Sequence, residues 1–276
     1  MEERMVGIVS YGVYIPRYRI NREVISSAMG WFSSSGIQGA KAVANYDEDS
    51  LTMAFAAGFD CIRGFDKTMV EALYLATTTA PYRERESAPI IATALDLPAT
   101  VRTADLTDSL KAGTGSFLLA CDSIRSGAVN NALVCAADCR LAKPGSRQET
   151  VFGDGAAAVL LGTKSVIASL EGSFSLAYDF PDHWRTASDK FDRTLEDRWI
   201  RDEGYNRFIP QSIKGLLEKF QLQPKDISKV IFPGIYVRDH RALAKNLGFQ
   251  PDQIQDPLIS HIGDSGTASP LIMLTA

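Results

Sequence analysis

The sequence predicts an α/β protein, because segments with the apolar pattern of β-strands alternate along the chain with segments that have the pattern of helices. The length of 276 residues, of which 45% are hydrophobic, is enough for one extended core or two fused halves. The order of elements in the first part of the chain is also repeated in the second. These observations together predict two related α/β halves.

The first half is expected to comprise residues 1–163. Its predicted strands are Val6–Ile15, Glu71–Thr77, Ala99–Ala104, Ala132–Ala136 and Ala156–Leu161, and its predicted helices are Ser50–Ile62, Ala88–Leu95 and Ser109–Arg125. Ser50 is expected to open the first of these helices, with acidic residues beside its N-terminus. The helix from Ser109 is rich in Gly and Ala, which predicts complete burial.

The second half is expected to comprise residues 164–276. Its predicted elements are a strand at Ser165–Phe174, a charged insertion at Asp179–Asp202, a helix at Tyr205–Phe220, a strand at Val230–Phe232, a helix at Asp239–Leu247 and a helix from Ser265. The last residues, Leu274–Ala276, fall inside that apolar helical run. A helical run that ends there without a cap leaves apolar surface uncovered, and we expect this surface to favour association with another chain.

Composition excludes several classes of function. A net charge of −4 with dispersed Lys and Arg gives no reason to expect nucleic acid or an anionic membrane as a partner. The N-terminus is charged, and no apolar run reaches the roughly 18 residues of a membrane span, so a cytoplasmic location is expected.

The cysteines and glycines predict no resident cofactor. Four cysteines in a chain of this length are too few for a disulfide framework, and the Cys135–Cys139 pair lacks the second pair that a zinc site needs. Neither a Gly-x-Gly-x-x-Gly fingerprint nor a Walker loop is present. We expect no metal and no tightly bound cofactor.

The most informative segment is Thr103–Ser116, which reads as a strand that turns sharply into a helix with Leu110 at the tip. A residue at such an elbow is held away from the backbone, and the helix N–H groups behind it stabilise a thiolate or an oxyanion. Leucine has no nucleophilic atom.

This segment also carries a family resemblance. Asp105-Leu106 followed by Lys111–Thr114 resembles the nucleophile region of archaeal-type 3-hydroxy-3-methylglutaryl-CoA synthases, which belong to the thiolase superfamily. Further similar segments, in the same order, are Val6–Arg19, Asp47–Met53, Phe152–Ala158 and Pro181–Arg185. The resemblance implies a thiolase-like fold, with two stacked βα halves in alternating helix and sheet layers, the second half truncated.

The resemblance also implies that four chemical positions have changed. The family's cysteine precedes Lys-Ala-Gly-Thr, where this chain has Leu110, and its general-base glutamate matches Thr78. Its histidine matches Pro233, and the asparagine of its Ile-Gly-Asn motif matches Asp264, whose carboxylate is expected to repel an oxyanion.

Other residues are candidates for the chemistry that the four changed positions do not provide. Cys139 follows a strand at the edge where α/β active sites gather, whereas Cys121 lies about three helical turns from the elbow. His261 precedes the Ile-Gly-Asp loop, and His240 is expected on a solvated helix face.

Two tyrosines lie near the glutamate and histidine positions. Tyr82 is otherwise expected in core packing and Tyr236 as a surface or lid aromatic. A phenol can transfer protons if a nearby cation lowers its pKa, and Arg83 or Arg238 is the expected neighbour.

Three functions follow from the resemblance. The first is a non-condensing subunit that binds acyl-CoA, as a homodimer or with an active thiolase or an OB-fold/zinc-ribbon protein. The second is a cysteine-independent aldolase or retro-aldolase that acts on the carbon–carbon bond of an acyl-CoA. The third is a divergent condensing enzyme or acyltransferase, which is disfavoured because Claisen chemistry needs a thiolate, an acid/base and oxyanion donors together.

Overall fold

A computed structural model describes residues 5–29 and 36–276 of the chain. Its strands are β1 (Gly7–Tyr14), β2 (Tyr18–Asn21), β3 (Ala40–Val43), β4 (Ala72–Ala76), β5 (Arg102–Leu106), β6 (Ala132–Asp138), β7 (Gly155–Gly162), β8 (Ala168–Ser169), β9 (His183–Trp184) and β10 (Arg193–Thr194). Its α-helices are α1 (Arg22–Met29), α2 (Ser50–Cys61), α3 (Ala88–Ala94), α4 (Ala112–Arg125), α5 (Arg147–Val151), α6 (Asp197–Trp199), α7 (Asn206–Lys219), α8 (Val237–Asn246) and α9 (Ser269–Thr275). Single turns of 3-10 helix occur at Lys67–Met69, Pro224–Asp226, Pro251–Gln253 and Gly266–Ala268, and a π-helical turn follows α6 at Ile200–Tyr205.

One mixed sheet organises most of these elements. Its strand order is β5-β4-β6-β7-β1-β8, and two further antiparallel pairs, β2 with β3 and β9 with β10, form separate two-stranded sheets. β4 runs parallel to β5 and β6, whereas β7 is antiparallel to β6 and β1. Every residue of β6 and β7 is buried, because helices cover both faces of the sheet centre.

The two faces of the sheet have separate cores. On one face α2 packs its Met53 and Ala57 against strand residues that include Leu133 and Leu160. On the other face α4 places Cys121 and Ile124 against the opposite side of the same strands. This helix–sheet–helix layering confirms the predicted α/β class.

The elements of the first part lie close to their predicted positions, with two local corrections. Ser50 does not cap α2: Asp49 does, accepting hydrogen bonds from the backbone N of Leu51 (3.0 Å) and Thr52 (2.8 Å). Asp accepts these bonds without leaving its extended conformation. The helix predicted from Ser109 begins at Ala112, because residues 107–111 form the turn after β5. It is not completely buried as predicted: one side packs on the sheet, whereas Leu119 on α4 is 52% exposed.

Two predicted strands of the second part are wrong. In the range predicted as a strand from Ser165, only Ala168–Ser169 pairs, and it does so with β1 of the main sheet. Ser165 has a left-handed φ of 55° and Ile167 is 62% exposed, so the rest of this range has no ladder. In the described part of the chain, Val230–Phe232 is held by one parallel bridge from Val230 to Ile254 instead of a strand pair.

The predicted helices of the second part do form, as α7, α8 and α9. A separate small core holds α7 and α8 together around Tyr205, Phe232 and Leu243. The division into residues 1–163 and 164–276 stays a prediction. Among the described residues, no helix is both long and apolar enough to span a bilayer.

Candidate functional site

The elbow lies at the carboxyl end of β5. β5 ends at Leu106 and α4 begins at Ala112, so Leu110 lies on the turn between them, as predicted. Asp108, inside this turn, has a left-handed φ of 68°, which Asp adopts more readily than most residues. Leu110 is half-buried and presents only hydrocarbon.

The start of α4 makes a very close backbone contact. A side chain at Gly113 would collide with the carbonyl oxygen of Thr267, so only glycine fits there. This contact holds the first turn of α4 against the Gly266–Ala268 turn. The elbow and the loop of Asp264 therefore meet at one end of the sheet.

Asp138, the last residue of β6, organises the centre of this region. Its Oδ1 accepts hydrogen bonds from N (2.7 Å) and Oγ1 (2.9 Å) of Thr78, and from Oγ1 of Thr77 (3.2 Å) and Thr79 (3.1 Å). Its Oδ2 accepts one from N of Thr267 (2.8 Å). The carboxylate is completely buried. These hydrogen bonds connect the ends of β4 and β6 with the turn beside α4. The hydroxyl proton of Thr78 is used in one of them.

Asp264 forms an ion pair that the sequence did not predict. Arg140 Nη2 donates to Asp264 Oδ2 (2.7 Å) and to the Asp264 carbonyl (2.8 Å), and the guanidinium lies 3.9 Å from the ring centroid of Phe152. Burial alone would raise the pKa of Asp264, but Arg140 and the donors Ser269 and Gly266 outweigh it, so the pKa lies below its ordinary value. The carboxylate is therefore balanced within the protein instead of standing as a free negative charge.

The charged insertion covers this region. Arg185 Nη2 donates to the carbonyl of Thr78 (2.6 Å), and Arg185 Nε lies 3.7 Å from Asp192. His183 Nδ1 lies 3.0 Å from Asp182 Oδ1, and this contact raises the pKa of His183. The β9–β10 hairpin is thus attached to the threonine segment.

Cys139 is no activated thiol. Burial and the nearby carboxyl group of Asp154 raise its pKa to about 12. Its backbone N donates to Thr79 Oγ1 (3.0 Å), so it adjoins the Asp138 cluster as its position after a strand predicted. Cys121 is buried, and burial raises its pKa to about 11. Both groups remain protonated at neutral pH, which makes them poor nucleophiles.

The two tyrosines differ from their expected settings. Tyr236 is buried rather than part of a surface or lid: its hydroxyl donates to Asp197 Oδ1 (3.0 Å), and Arg147, not Arg238, lies 4.6 Å from its ring centroid. Burial, with the Asp197 charge, raises the pKa of Tyr236.

Tyr82 is 44% exposed instead of packed in the core. Arg85, not Arg83, lies 4.8 Å from its ring centroid. Each tyrosine therefore lies beside an arginine, but not the arginine that was expected. For Tyr236, burial and the Asp197 carboxylate affect the pKa more than Arg147 does.

The remaining predicted positions lie as follows. Pro233 is exposed, and its carbonyl accepts the hydroxyl of Tyr205 (2.5 Å). His261 is exposed in the turn before Gly263. His240 is buried rather than solvated, because its ring packs 4.2 Å from the ring of Phe232. Among the described residues, no group of three His, Cys, Asp or Glu side chains is placed to hold a metal ion.

Sequence reasoning missed Asp138, Arg140 and Arg185 as members of this region. One signal was available for the first two: polar Asp138 and Arg140 directly follow an apolar strand, which is where side chains converge in an α/β sheet. Arg185 lies in Pro181–Arg185, one of the segments that resemble the family, but nothing in its local sequence indicates a contact with Thr78.

This arrangement, an elbow between the edge strand β5 and the helix α4 that packs on one face of a mixed sheet, defines a thiolase-type fold. Residues 105–175 match the family described as 3-oxoacyl-[acyl-carrier-protein (ACP)] synthase III. The 3-oxoacyl-(acyl carrier protein) synthase III structure from Pseudomonas aeruginosa superposes with a TM-score of 0.85 at 20% identity, covering 99% of this chain and 88% of that one. A crystal structure of HMG-CoA synthase complexed with CoA also gives a TM-score of 0.85, at 18% identity, covering 98% and 74% of the two chains.

Sequence comparison identifies the family within this fold class. The hydroxymethylglutaryl-CoA synthase of Methanopyrus kandleri is 31% identical over 278 residues, which covers 98% of this chain and 79% of that protein. The corresponding protein of Methanocaldococcus jannaschii is 32% identical over 268 residues, covering 95% and 77%. The chain belongs to the hydroxymethylglutaryl-CoA synthase family, as the resemblance predicted.

Proposed function

We propose that this protein is a non-condensing member of its family: a subunit that binds acyl-CoA without taking the acyl group, and works with an active thiolase or an OB-fold/zinc-ribbon protein. The observation that carries the proposal is Leu110 on the turn between β5 and α4. A hydrocarbon side chain at this turn has no atom that could attack a thioester.

The surroundings of Thr78 support the same proposal. Its hydroxyl proton is donated to Asp138, and its carbonyl accepts Arg185. By resemblance, the family's glutamate at this position removes a proton from the acyl group. A threonine hydroxyl that is already hydrogen-bonded is poorly suited to that task. Nearby charges are likewise used internally, since Arg140 pairs with Asp264.

Coenzyme A thioesters are the ligand class that this fold suggests. A solved HMG-CoA synthase of the same fold is described as complexed with CoA. The changed positions are those that would react with the acyl group. The pantetheine and nucleotide parts of such a ligand do not need these groups in order to bind. The proposed role therefore keeps acyl-CoA binding and dispenses with transfer of the acyl group.

The outer edge of β5 supports a partner. In the described part of the chain β5 pairs only with β4, so its other edge presents unpaired backbone groups. A strand edge of this kind is stabilised when another chain covers it. We infer that a second copy or an active thiolase covers this edge.

The tyrosine-based aldolase receives less support. The hydroxyl of Tyr236 is bonded to Asp197, and its pKa is raised rather than lowered. A general base near neutral pH needs the opposite shift.

Three measurements on the full chain test the proposal. Isothermal titration calorimetry with CoA and acetyl-CoA is expected to show reversible binding of both. Intact-mass spectrometry after incubation with acetyl-CoA is expected to show no acetyl adduct, whereas a family member with cysteine at the elbow serves as the positive control. Light scattering at low micromolar concentration is expected to give more than the 30.1 kDa of one chain.

Opposite outcomes are decisive. A stable acetyl adduct would refute the non-condensing role and, if mapped to Cys139, would move the reactive group there. Absence of CoA binding at millimolar ligand would refute the acyl-CoA-binding role. A well-behaved monomer with one cooperative thermal transition would refute the subunit role.

A further inference from the structure

A cleft of about 1180 Å³ is lined by α8, by Gly36–Gln38 and by residues between Gly248 and Ser260, and no residue of the elbow lines it. Its apolar lining includes Phe249, Ile254 and Ile259. Small-molecule sites in proteins are typically clefts of roughly 300–1,000 Å³ with apolar walls and a few polar groups that fix orientation. This cleft is large enough for such a ligand.

Two cationic side chains line the cleft. Arg241 and Lys245 lie one helical turn apart on α8, both line the cleft and both are exposed. Within residues 5–29 and 36–276 neither side chain has a hydrogen bond or an ion pair. Asp256 lines the same cleft and its Oδ1 accepts the backbone N of Leu258 (2.8 Å), so the lining carries one carboxylate against these two cations. The cleft therefore offers two free donors to an anion.

His240 adds an unusual buried acceptor. It lines the cleft and is only 2% exposed, and its Nε2 has no hydrogen-bond partner within the described chain. The imidazole also interacts with the backbone of Phe232, and because Nε2 has no partner, we assign that interaction to Nδ1 and the lone pair to Nε2. A buried polar atom without a partner costs free energy unless something satisfies it.

We propose that this cleft binds a small carboxylic acid with an apolar body, whose carboxylate pairs with Arg241 and Lys245 and whose hydroxyl group donates to His240 Nε2. The apolar walls take the hydrocarbon, the two cations fix the charged end, and the imidazole selects a hydrogen-bond donor. This site is separate from the elbow and goes beyond acyl-CoA binding. A polypeptide segment could fill the same space, but it would not need a free carboxylate.

Calorimetric titration of the full chain with decanoate, decanol and a set of hydroxydecanoates tests the proposal. Decanoate is expected to bind and decanol to bind at least about fivefold more weakly, because the alcohol offers no charge to the two cations. One or more hydroxydecanoates are expected to bind more tightly than decanoate.

Variants assign the contacts. Arg241→Ala with Lys245→Ala is expected to weaken decanoate binding about fivefold to tenfold, while the matched control Arg238→Ala, on the same helix but outside the cleft, leaves it unchanged. His240→Phe keeps an aromatic ring against Phe232 and is expected to abolish the advantage of the hydroxydecanoates. Circular dichroism melts verify that each variant is folded.

CoA titration of the same variants separates this inference from the proposed function, since CoA binding is expected to be unaffected. Equal binding of decanoate and decanol, no binding of either, or an effect of Arg238→Ala as large as that of the double variant would overturn the proposal. Loss of CoA binding in the folded double variant would also overturn it, because the cleft would then belong to the acyl-CoA site.

Discussion

Thr78 is bonded twice to Asp138: both its backbone N (2.7 Å) and its Oγ1 (2.9 Å) donate to the same oxygen, Oδ1. The position that the resemblance assigns to the family's glutamate is thereby tied to a buried carboxylate on the next strand of the sheet. The relationship makes Asp138 a structural centre of this region.

Asp138→Asn is expected to destabilise the protein by about 3 kcal/mol, because the new amide group places donors against the threonine donors that the carboxylate accepts. Urea unfolding measures the change. Asp122→Asn, an exposed aspartate on α4 that pairs only loosely with Arg125 (3.7 Å), is the matched control and is expected to change stability by less than about 1 kcal/mol. Equal effects of the two substitutions would contradict the role given to Asp138.

Asp264→Asn, which introduces the amide that the resemblance assigns to this position, is expected to cost about 3 kcal/mol of stability, because it removes the charged hydrogen-bond partner of the buried Arg140 guanidinium. Adding Arg140→Met is expected to recover part of the loss. A double-mutant cycle by urea unfolding gives the coupling, with Glu203→Gln, which breaks the exposed Arg207 pair (3.7 Å), as the comparison. Purely additive effects of the Arg140 and Asp264 substitutions would be inconsistent with the ion pair.

Leu110→Cys alone is expected not to create condensation activity. A missing acid/base group typically costs about 10²–10⁴ in rate, and Thr78 cannot replace a carboxylate. Adding Thr78→Glu is also expected to fail, since the new carboxylate would lie beside the buried Asp138 charge. Product analysis with acetyl-CoA and acetoacetyl-CoA measures this, and robust turnover by the single variant would show that the position assigned to the glutamate is wrong.

The native thiols are expected to react slowly with Ellman's reagent at pH 8, since burial raises the pKa of Cys61 and Cys139 to about 12 and that of Cys121 to about 11. All four cysteines should react quickly in urea. One fast thiol in the folded protein would identify an activated cysteine and argue against this account.

The same shifts predict how stability depends on pH. A thiol whose pKa is raised on folding stabilises the native state fully below its unfolded pKa of about 8.5, and this contribution is lost as pH rises toward the folded value. Urea midpoints are therefore expected to fall between about pH 9 and 11. Cys139→Ala should flatten the slope, and an unchanged slope in that variant would exclude Cys139 as a contributor.

The sequence predicted the sheet well where one physical signal dominated. β6 and β7 are uninterrupted apolar runs, and their burial on both faces leaves no other stable arrangement. The elbow was also readable, because a short strand, a polar turn and a helix that begins with Gly and Ala follow one another.

Local sequence failed where a distant partner decides the outcome. Val230–Phe232 has strand composition, yet pairing depends on a neighbour, and among residues 5–29 and 36–276 a single bridge, from Val230 to Ile254, is formed. His240 sits among charged residues on α8, but the ring of Phe232 determines its burial. Arg140 and Asp264 are far apart in the chain, so their ion pair leaves no local trace.

The contact between Gly113 and Thr267 bears on how this protein diverged. The contact that holds the first turn of α4 against the Gly266–Ala268 turn is made by main-chain atoms, and the side chain of Leu110 takes no part in it. We infer that the side chain at the elbow can be exchanged during evolution while this contact is kept. The position of the elbow in the fold would then place little constraint on which residue occupies it.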